Sequence, residues 1–159
     1  MFAKPQTEHE WFNSLLGNWE FEHECVMGPD TPPSRTTGQA TVRSLGGLWT
    51  LIEWQGGTPE EGQWTSLSTL GFDPQKNRYV GTFVASMMTH LWIYDGHLDD
   101  GGKQLVLDAE GPSFDGTGVA RYQDLIEIVD RDLWILRSQM LGEDGQWHSF
   151  LEGRHRRVA

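Results

Sequence analysis

The sequence has very little of what builds secreted or membrane-spanning proteins. Cys25 is the only cysteine in the 159 residues, so no disulfide can form within the chain, and a cytoplasmic location is expected. No apolar run approaches the roughly 18 residues that a membrane-spanning helix requires. Residues Met1 to Glu10 have no apolar core and include two acids, which does not indicate an export signal.

Positive charge is also scarce. Lysine and arginine number 12 against 23 aspartates and glutamates, which leaves a formal net charge of -11. A surface of this sign repels nucleic acid and anionic lipid, because both bind through cationic patches. We therefore expect neither nucleic acid nor a membrane as a partner.

Motifs that would name a reaction or a cofactor are missing. The six histidines show no HExxH or His-x-His spacing and no Cys-x-x-Cys pair occurs, so neither a metal site nor a cofactor is expected. No Gly-x-Ser-x-Gly sequence is present to form a nucleophile elbow. The segment Gly96 to Lys103 lacks the Ser or Thr that follows the lysine of a phosphate-binding loop, and it is typical of a hairpin turn.

What the sequence does contain is alternation of apolar and polar residues. From Trp19 to Cys25, aromatic residues, a histidine and the cysteine alternate with glutamates, which predicts a strand with one buried face. Nine further strand-like stretches follow, separated by turn residues. They lie near residues 38–45, 48–55, 63–72, 78–86, 90–96, 104–110, 118–130, 132–140 and 146–156. Because no helical stretch follows any strand, parallel βαβ architecture is excluded.

One short helix is predicted before these strands. Thr7 is expected to cap it, with Glu10 three residues on, and apolar residues from Trp11 to Leu16 recur at helical spacing until Gly17. Ten strands must close into a barrel or stack as two sheets, since open edges invite aggregation. We therefore predict a single domain over residues 1–159, an all-β, antiparallel, up-and-down barrel of about ten strands.

A Gly-x-Trp motif, Leu16-Gly17-Asn18-Trp19, stands between the helix and the first strand. It resembles the signature of lipocalins and fatty-acid-binding proteins, the calycin group. The resemblance implies that Trp19 closes the barrel floor and that an arginine from the last strand stacks on it, a cation–π contact. Arg154, Arg156 and Arg157 are available. Arg154 and Arg156 share a strand face, so parity does not choose between them, and the resemblance favours Arg156.

Several longer stretches carry a closer resemblance. They are Leu15 to Trp19, Val42 to Trp49, Thr69 to Asp73, Lys76 to Phe83, Tyr94 to Asp99 and Glu152 to Arg157. They resemble a family of small bacterial proteins catalogued as domain of unknown function fifteen-seventy-nine. Phe72 and His155 depart from the family pattern, which usually shows tyrosine at or near these positions. The resemblance implies a lipocalin-like barrel and no established activity.

Four residues on two strands are candidates for lining a ligand cavity. Parity places His23 on the buried face of the first strand, either as a hydrogen-bonded core histidine or as a polar anchor for a ligand. His90, Trp92 and Tyr94 share one face of a later strand. That face points either into the cavity or outward as a cross-strand aromatic ladder.

Arg121 and Trp49 complete the candidate ligand-binding residues. If Arg121 points inward, it would favour a carboxylate-bearing ligand, and the alternative is an amphipathic strand with its polar residues outside. Trp49 would supply an apolar wall.

Four functional hypotheses follow from a barrel of this size. The first is a binding protein, because such a lumen is only partly filled by side chains and holds one small hydrophobic or amphipathic ligand. The second is an enzyme of isomerase or hydrolase type that uses one carboxylate or histidine of the same cavity. The third, by analogy, is a haem-binding barrel with His155 as the ligand. The fourth is a homodimer through apolar strands such as Leu48 to Trp54.

Overall fold

A computed structural model of the chain describes residues 1–158, and its ten antiparallel strands close into a barrel. The elements are the helix α1 (Thr7–Glu10), a 3-10 turn (Trp11–Leu15), β1 (Gly17–Cys25), β2 (Ser34–Leu45), β3 (Trp49–Thr58), β4 (Gly62–Asp73), β5 (Arg78–Ala85), β6 (Trp92–Leu98), β7 (Gln104–Pro112), β8 (Val119–Asp130), β9 (Leu133–Leu141) and β10 (Trp147–Val158). Strands pair in chain order, and β10 pairs with β1. The predicted all-β up-and-down barrel with one short N-terminal helix is confirmed.

The alternation in β1 shows how the sequence builds the wall. Trp19, Phe21 and His23 are buried inside the barrel, whereas the glutamates between them face solvent. Strand β2 begins at Ser34, four residues before the predicted start near residue 38. The early part of β2 is polar and carries no apolar signal, but its backbone pairs with β1 from Ser34 onward.

The N-terminal helix begins differently from the prediction. Gln6, rather than Thr7, is the capping residue, and its backbone N–H donates to Nδ1 of His9 at 2.9 Å. His9 Nε2 in turn donates to the carbonyl of Phe72 at 3.1 Å, which ties the helix to β4. His9 therefore takes the reciprocal capping role that the sequence suggested for Glu10.

The floor of the barrel is closed by Trp19 and Arg157. The guanidinium carbon of Arg157 lies 4.2 Å from the centre of the Trp19 ring. Three carbonyls at the end of the 3-10 turn accept hydrogen bonds here. Ser14 and Leu16, the residue after the turn, accept from Arg157 at 3.1 and 2.8 Å, and Leu15 accepts from Trp19 Nε1 at 2.8 Å. One arginine and one indole thus join the chain's first helical turns to its last strand.

The prediction that Arg156 stacks on Trp19 is wrong. In the β1–β10 register Arg157 lies opposite Trp19, whereas Arg156 lies opposite Glu20 and is exposed on the outer surface. Strand β10 continues to Val158 rather than ending at residue 156, so the inward position near the floor falls on Arg157.

Strands β2 and β3 approach each other closely at Gly38. A Cβ at this position would lie 2.1 Å from the carbonyl oxygen of Gln55 and 2.7 Å from the ring of Phe21. We expect Gly38→Ala to lower the free energy of unfolding by about 1–3 kcal/mol, because the backbone must shift to relieve the overlap. Urea denaturation measures the change.

The matched control for this substitution is Gly101→Ala. Gly101 lies in the exposed turn between β6 and β7, and a Cβ there would meet nothing within 4 Å. Its variant should stay within about 0.5 kcal/mol of the parent protein. Equal stability of the two variants would contradict the close approach at Gly38.

Candidate ligand-binding cavity

The barrel encloses a cavity of about 790 Å³. The N-terminal helix and the 3-10 turn cover one end of the barrel. At the other end the cavity is lined by residues of three strand-connecting loops, including Met27, Met87 and Phe114. A volume of this size falls within the roughly 300–1,000 Å³ that is typical of small-molecule sites.

Eight aromatic side chains, besides two histidines, line the cavity. They are Trp54, Trp64, Phe83, Trp92, Tyr94, Phe114, Tyr122 and Phe150. Small hydroxyl side chains lie between them, at Ser66, Ser68 and Ser138. Alternate residues of each strand face the lumen, which is why β4 contributes Trp64, Ser66 and Ser68 in a single row.

The structure brings four of the six predicted ligand-binding residues to this cavity. His23, His90, Trp92 and Tyr94 all line it. Trp49 does not, because Thr50 and Ile52 take the inner face of β3 while the Trp49 ring lies over Gly71 with 41% of the residue exposed.

Arg121 lies outside the barrel as well. Its neighbour Tyr122 takes the inner face of β8, and Arg121 is exposed. The expectation of a carboxylate-bearing ligand therefore loses the residue on which it depended.

His155 belongs to the packed core rather than to the cavity wall. Its ring is fully buried and stacks on Trp134, with centroids 3.6 Å apart and planes 9° apart. Nε2 accepts a hydrogen bond from Trp54 Nε1 at 2.9 Å, and Nδ1 donates to the carbonyl of Gly153 at 3.2 Å. Burial holds the pKa of His155 well below its ordinary value, so the ring is neutral at neutral pH. With both nitrogens engaged, His155 offers no ligand to a haem iron, contrary to the haem hypothesis.

His23 lies between this core and the cavity. Its ring packs against Phe21 at 4.3 Å and Trp64 at 6.3 Å between centroids, and 9% of the residue is exposed. Nε2 is buried without a hydrogen-bond partner in residues 1–158 and packs against Gly153. Burial lowers the pKa of His23 to about 4, so the cavity wall is uncharged at this point.

The mouth-side aromatic residues are held by hydrogen bonds and close packing. His90 Nε2 donates to the carbonyl of Glu110 at 3.0 Å. The Trp92 ring lies over Gly111, where a Cβ would come within 2.3 Å of it, and meets Tyr122 edge-on at 5.0 Å. The glycine therefore makes room for the indole, and both histidine and tryptophan are fixed in orientation.

Asp124 is the functional candidate that the sequence did not reveal. It lies on β8 between Tyr122 and Ile126, and lines the cavity. The hydroxyls of Tyr94 and Ser138 donate to its two carboxylate oxygens, at 2.5 and 2.6 Å. Burial raises the pKa of Asp124, and the two hydroxyl hydrogen bonds oppose part of that rise. The only sequence signal was its parity with Tyr122 and Ile126.

A second depression, of about 780 Å³, lies on the outer face of β1, β2 and β10. Several of its charged residues pair with one another, as Arg35 does with Glu22 at 3.1 Å and with Glu24 at 3.2 Å. Exposed ion pairs of this kind contribute little and leave few groups for a ligand. The interior cavity is therefore the stronger candidate.

Two further features of residues 1–158 bear on function. Within residues 1–158, no three His, Cys, Asp or Glu side chains are grouped so that they could hold a metal ion. Over the same residues, no helix has the length and apolar character needed to cross a membrane.

Known folds similar to this one include several β-barrels. The S-type phycobiliprotein lyase CPES from Guillardia theta superposes with a TM-score of 0.63 and 13% identity, over 98% of this chain and 99% of that one. Rv2717c from M. tuberculosis gives a TM-score of 0.64 and 11% identity, over 98% and 100%. EF1p2_mFAP2b bound to DFHBI gives 0.51 and 13%, over 96% and 100%. At these identities the likeness shows a shared fold.

Sequence comparison identifies the family. No curated protein matches the chain. Residues 4–157 match DUF1579, described as a protein of unknown function. Since that match spans almost the whole length, the chain belongs to the DUF1579 family and has a lipocalin-like barrel fold.

Proposed function

We propose that this barrel binds one small hydrophobic or amphipathic molecule in its lumen. The observation that carries the proposal is the cavity of about 790 Å³, whose lining includes eight aromatic side chains together with aliphatic ones. Trp19, Trp134 and His155 pack the interior near the floor, but the remainder is not filled by side chains. A purely structural barrel would bury its aromatic residues against one another throughout.

The chemistry of the wall supports an apolar ligand held in one orientation. Apolar surface that a ligand buries against these rings is worth roughly 25 cal/mol per Å². A few polar groups, chiefly Asp124 and the serine hydroxyls, stand among the aromatic residues, and such groups fix the orientation of ligands in apolar sites. Among barrels of similar fold, EF1p2_mFAP2b is bound to the small molecule DFHBI.

A neutral fluorescent dye tests whether the lumen takes up an apolar molecule. We expect Nile red to bind one molecule per chain with a rise in fluorescence. In Ala109→Phe, an extra ring would occupy the lumen, because Ala109 lines the cavity, and the affinity should fall by at least about tenfold. Fluorescence titration measures both constants.

The control is Ile93→Phe, which adds a ring on the outside of β6, where 64% of Ile93 is exposed. Its dye affinity should equal that of the parent protein. Equal binding by Ala109→Phe and the parent would place the dye outside the lumen and contradict the proposal. Native mass spectrometry of protein purified from its own host then identifies the natural ligand, as an adduct of small-molecule mass.

A further inference from the structure

We infer that the cavity selects ligands carrying a protonated nitrogen on an apolar body, with Asp124 as the anchor for that charge. This inference rests on the proposed function, since it specifies the ligand class of the same cavity. It follows from the distribution of charge in the wall, from the hydrogen bonds of Asp124 and from the rings around it.

The cavity wall contains acidic but no strongly basic side chains. Asp124 lies within the lumen and Glu61 lies among the residues that line the mouth, whereas none of the lysines and arginines of residues 1–158 lines the cavity. Arg137 of β9, the neighbour of the cavity-lining Ser138, points outward and pairs with Glu127 at 2.8 Å and Glu152 at 3.3 Å. The lumen therefore has no cation for a carboxylate ligand to meet.

Asp124 retains room for a cationic partner. Its two present partners, the hydroxyls of Tyr94 and Ser138, are neutral donors that occupy one site on each oxygen. A carboxylate has about four acceptor positions, so two remain. A carboxylate withdrawn from water without a counter-charge is costly, and a ligand cation that reaches it offsets that cost.

The rings beside Asp124 favour the same charge. Tyr94 is held next to the carboxylate by its own hydroxyl, and Trp92 and Tyr122 meet edge-on 5.0 Å apart on the neighbouring wall. Aromatic faces attract cations and recognise ammonium groups in known sites. The net charge of -11 also raises the local concentration of cations and opposes the entry of anions.

Three probes with one naphthalene body test this selectivity directly. They are 2-naphthylmethylammonium, the neutral 2-naphthylmethanol and 2-naphthoate, titrated by calorimetry at neutral pH and low salt. We expect the ammonium to bind at least about tenfold more tightly than the alcohol, because it gains a desolvated charge pair. The carboxylate should bind about tenfold more weakly than the alcohol, because it meets a like charge.

The anchor is tested with Asp124→Asn, which removes the charge and keeps the shape. The ammonium should lose its advantage and bind within about threefold of the alcohol, whose own affinity should change little. Asp108→Asn is the matched control, since Asp108 lies on the outer face of β7 and bonds Gln123 at 2.8 Å. The Asp108→Asn variant should keep the parent's full preference for the ammonium over the alcohol. The probe series on the parent protein remains decisive even if Asp124→Asn does not fold.

Each other outcome has a definite meaning. Equal or tighter binding of the alcohol or the naphthoate overturns this inference while leaving the proposed function intact. Uptake of Nile red without any binding of the ammonium does the same. An unchanged ammonium preference in Asp124→Asn removes Asp124 as the anchor. Failure of all three probes and of Nile red overturns the proposed function together with the inference.

Discussion

Trp19→Ala is expected to lower the free energy of unfolding by about 3–5 kcal/mol, a large share of the about 5–15 kcal/mol that holds a domain folded. The indole is 1% exposed and meets Trp134 edge-on at 6.0 Å, so its removal leaves a cavity in the core. It also leaves the carbonyl of Leu15 without its donor. Chemical denaturation monitored by circular dichroism measures the loss.

Arg157→Ala should cost less, about 1–2 kcal/mol, through loss of the cation–π contact and of the bonds to the 3-10 turn. Because Arg157 packs on the Trp19 ring at 4.2 Å, the two substitutions remove a shared interaction. The double variant should therefore lose at least about 0.5 kcal/mol less than the sum of the single losses.

Arg156→Ala is the control for this cycle. Arg156 is exposed on the outer face, and its removal should change stability by no more than about 0.5 kcal/mol. Strict additivity of the Trp19 and Arg157 losses would contradict the stack. So would a loss in Arg156→Ala equal to that in Arg157→Ala.

The number of strands was predictable because alternation is a local property of each strand. In β1 every second residue from Trp19 is apolar or a histidine, and closure of ten such strands follows from the need to cover sheet edges. The Gly-x-Trp motif also located the floor tryptophan correctly. These features depend on neighbours in sequence or on a rule that applies to all sheets.

The face of the last strand was not predictable from the sequence. Three arginines fall within four residues, and the register of β10 against β9 shifts between Ser149 and Leu151. A shift of this kind changes which alternate residues point inward, and no residue pattern marks it. The choice between Arg156 and Arg157 therefore depended on pairing with β1, which only the closed barrel specifies.

The inward position of Asp124 on strand β8 was not predictable for a related reason. Both of its faces carry apolar residues, with Val119 and Val129 on the outside, 74% and 43% exposed, and Tyr122 and Ile126 buried. When each face of a strand carries both apolar and polar residues, neither periodicity nor composition identifies the inner face. The partners of Asp124 come from β6 and β9, so its environment exists only after those strands assemble.

Acidification is expected to destabilise the barrel through two buried histidines. The pKa of His23 is lowered by burial from an ordinary 6.5 to about 4 in the folded chain, and that of His155 is also well below its ordinary value. Between these pH values the unfolded chain binds more protons than the folded chain. The free energy of unfolding therefore falls as the pH drops from about 6.5 towards about 4, and it is fully retained above that window.

The surroundings of His23 explain why protonation is so unfavourable. Phe21 and Trp64 pack on its ring and Gly153 packs against Nε2, so a charged imidazolium there would be buried away from water. At 1.36 kcal/mol for each unit of pKa, His23 alone accounts for about 3 kcal/mol across the window. His155 acts in the same direction.

His23→Phe isolates this effect, because phenylalanine keeps the ring and does not titrate. Nε2 has no hydrogen-bond partner in residues 1–158, so the substitution removes no protein hydrogen bond there and should be well tolerated above the window. Within the window, the free energy of unfolding from urea denaturation at a series of pH values should fall less steeply than in the parent, by up to about 1.4 kcal/mol per pH unit. His97→Phe, at an exposed position of β6, should leave the slope unchanged. His155→Phe differs from both, since it removes the acceptor of Trp54 and should lose about 1–3 kcal/mol at neutral pH. If His23→Phe kept the parent's full acid sensitivity, the buried neutral histidine would not be its source.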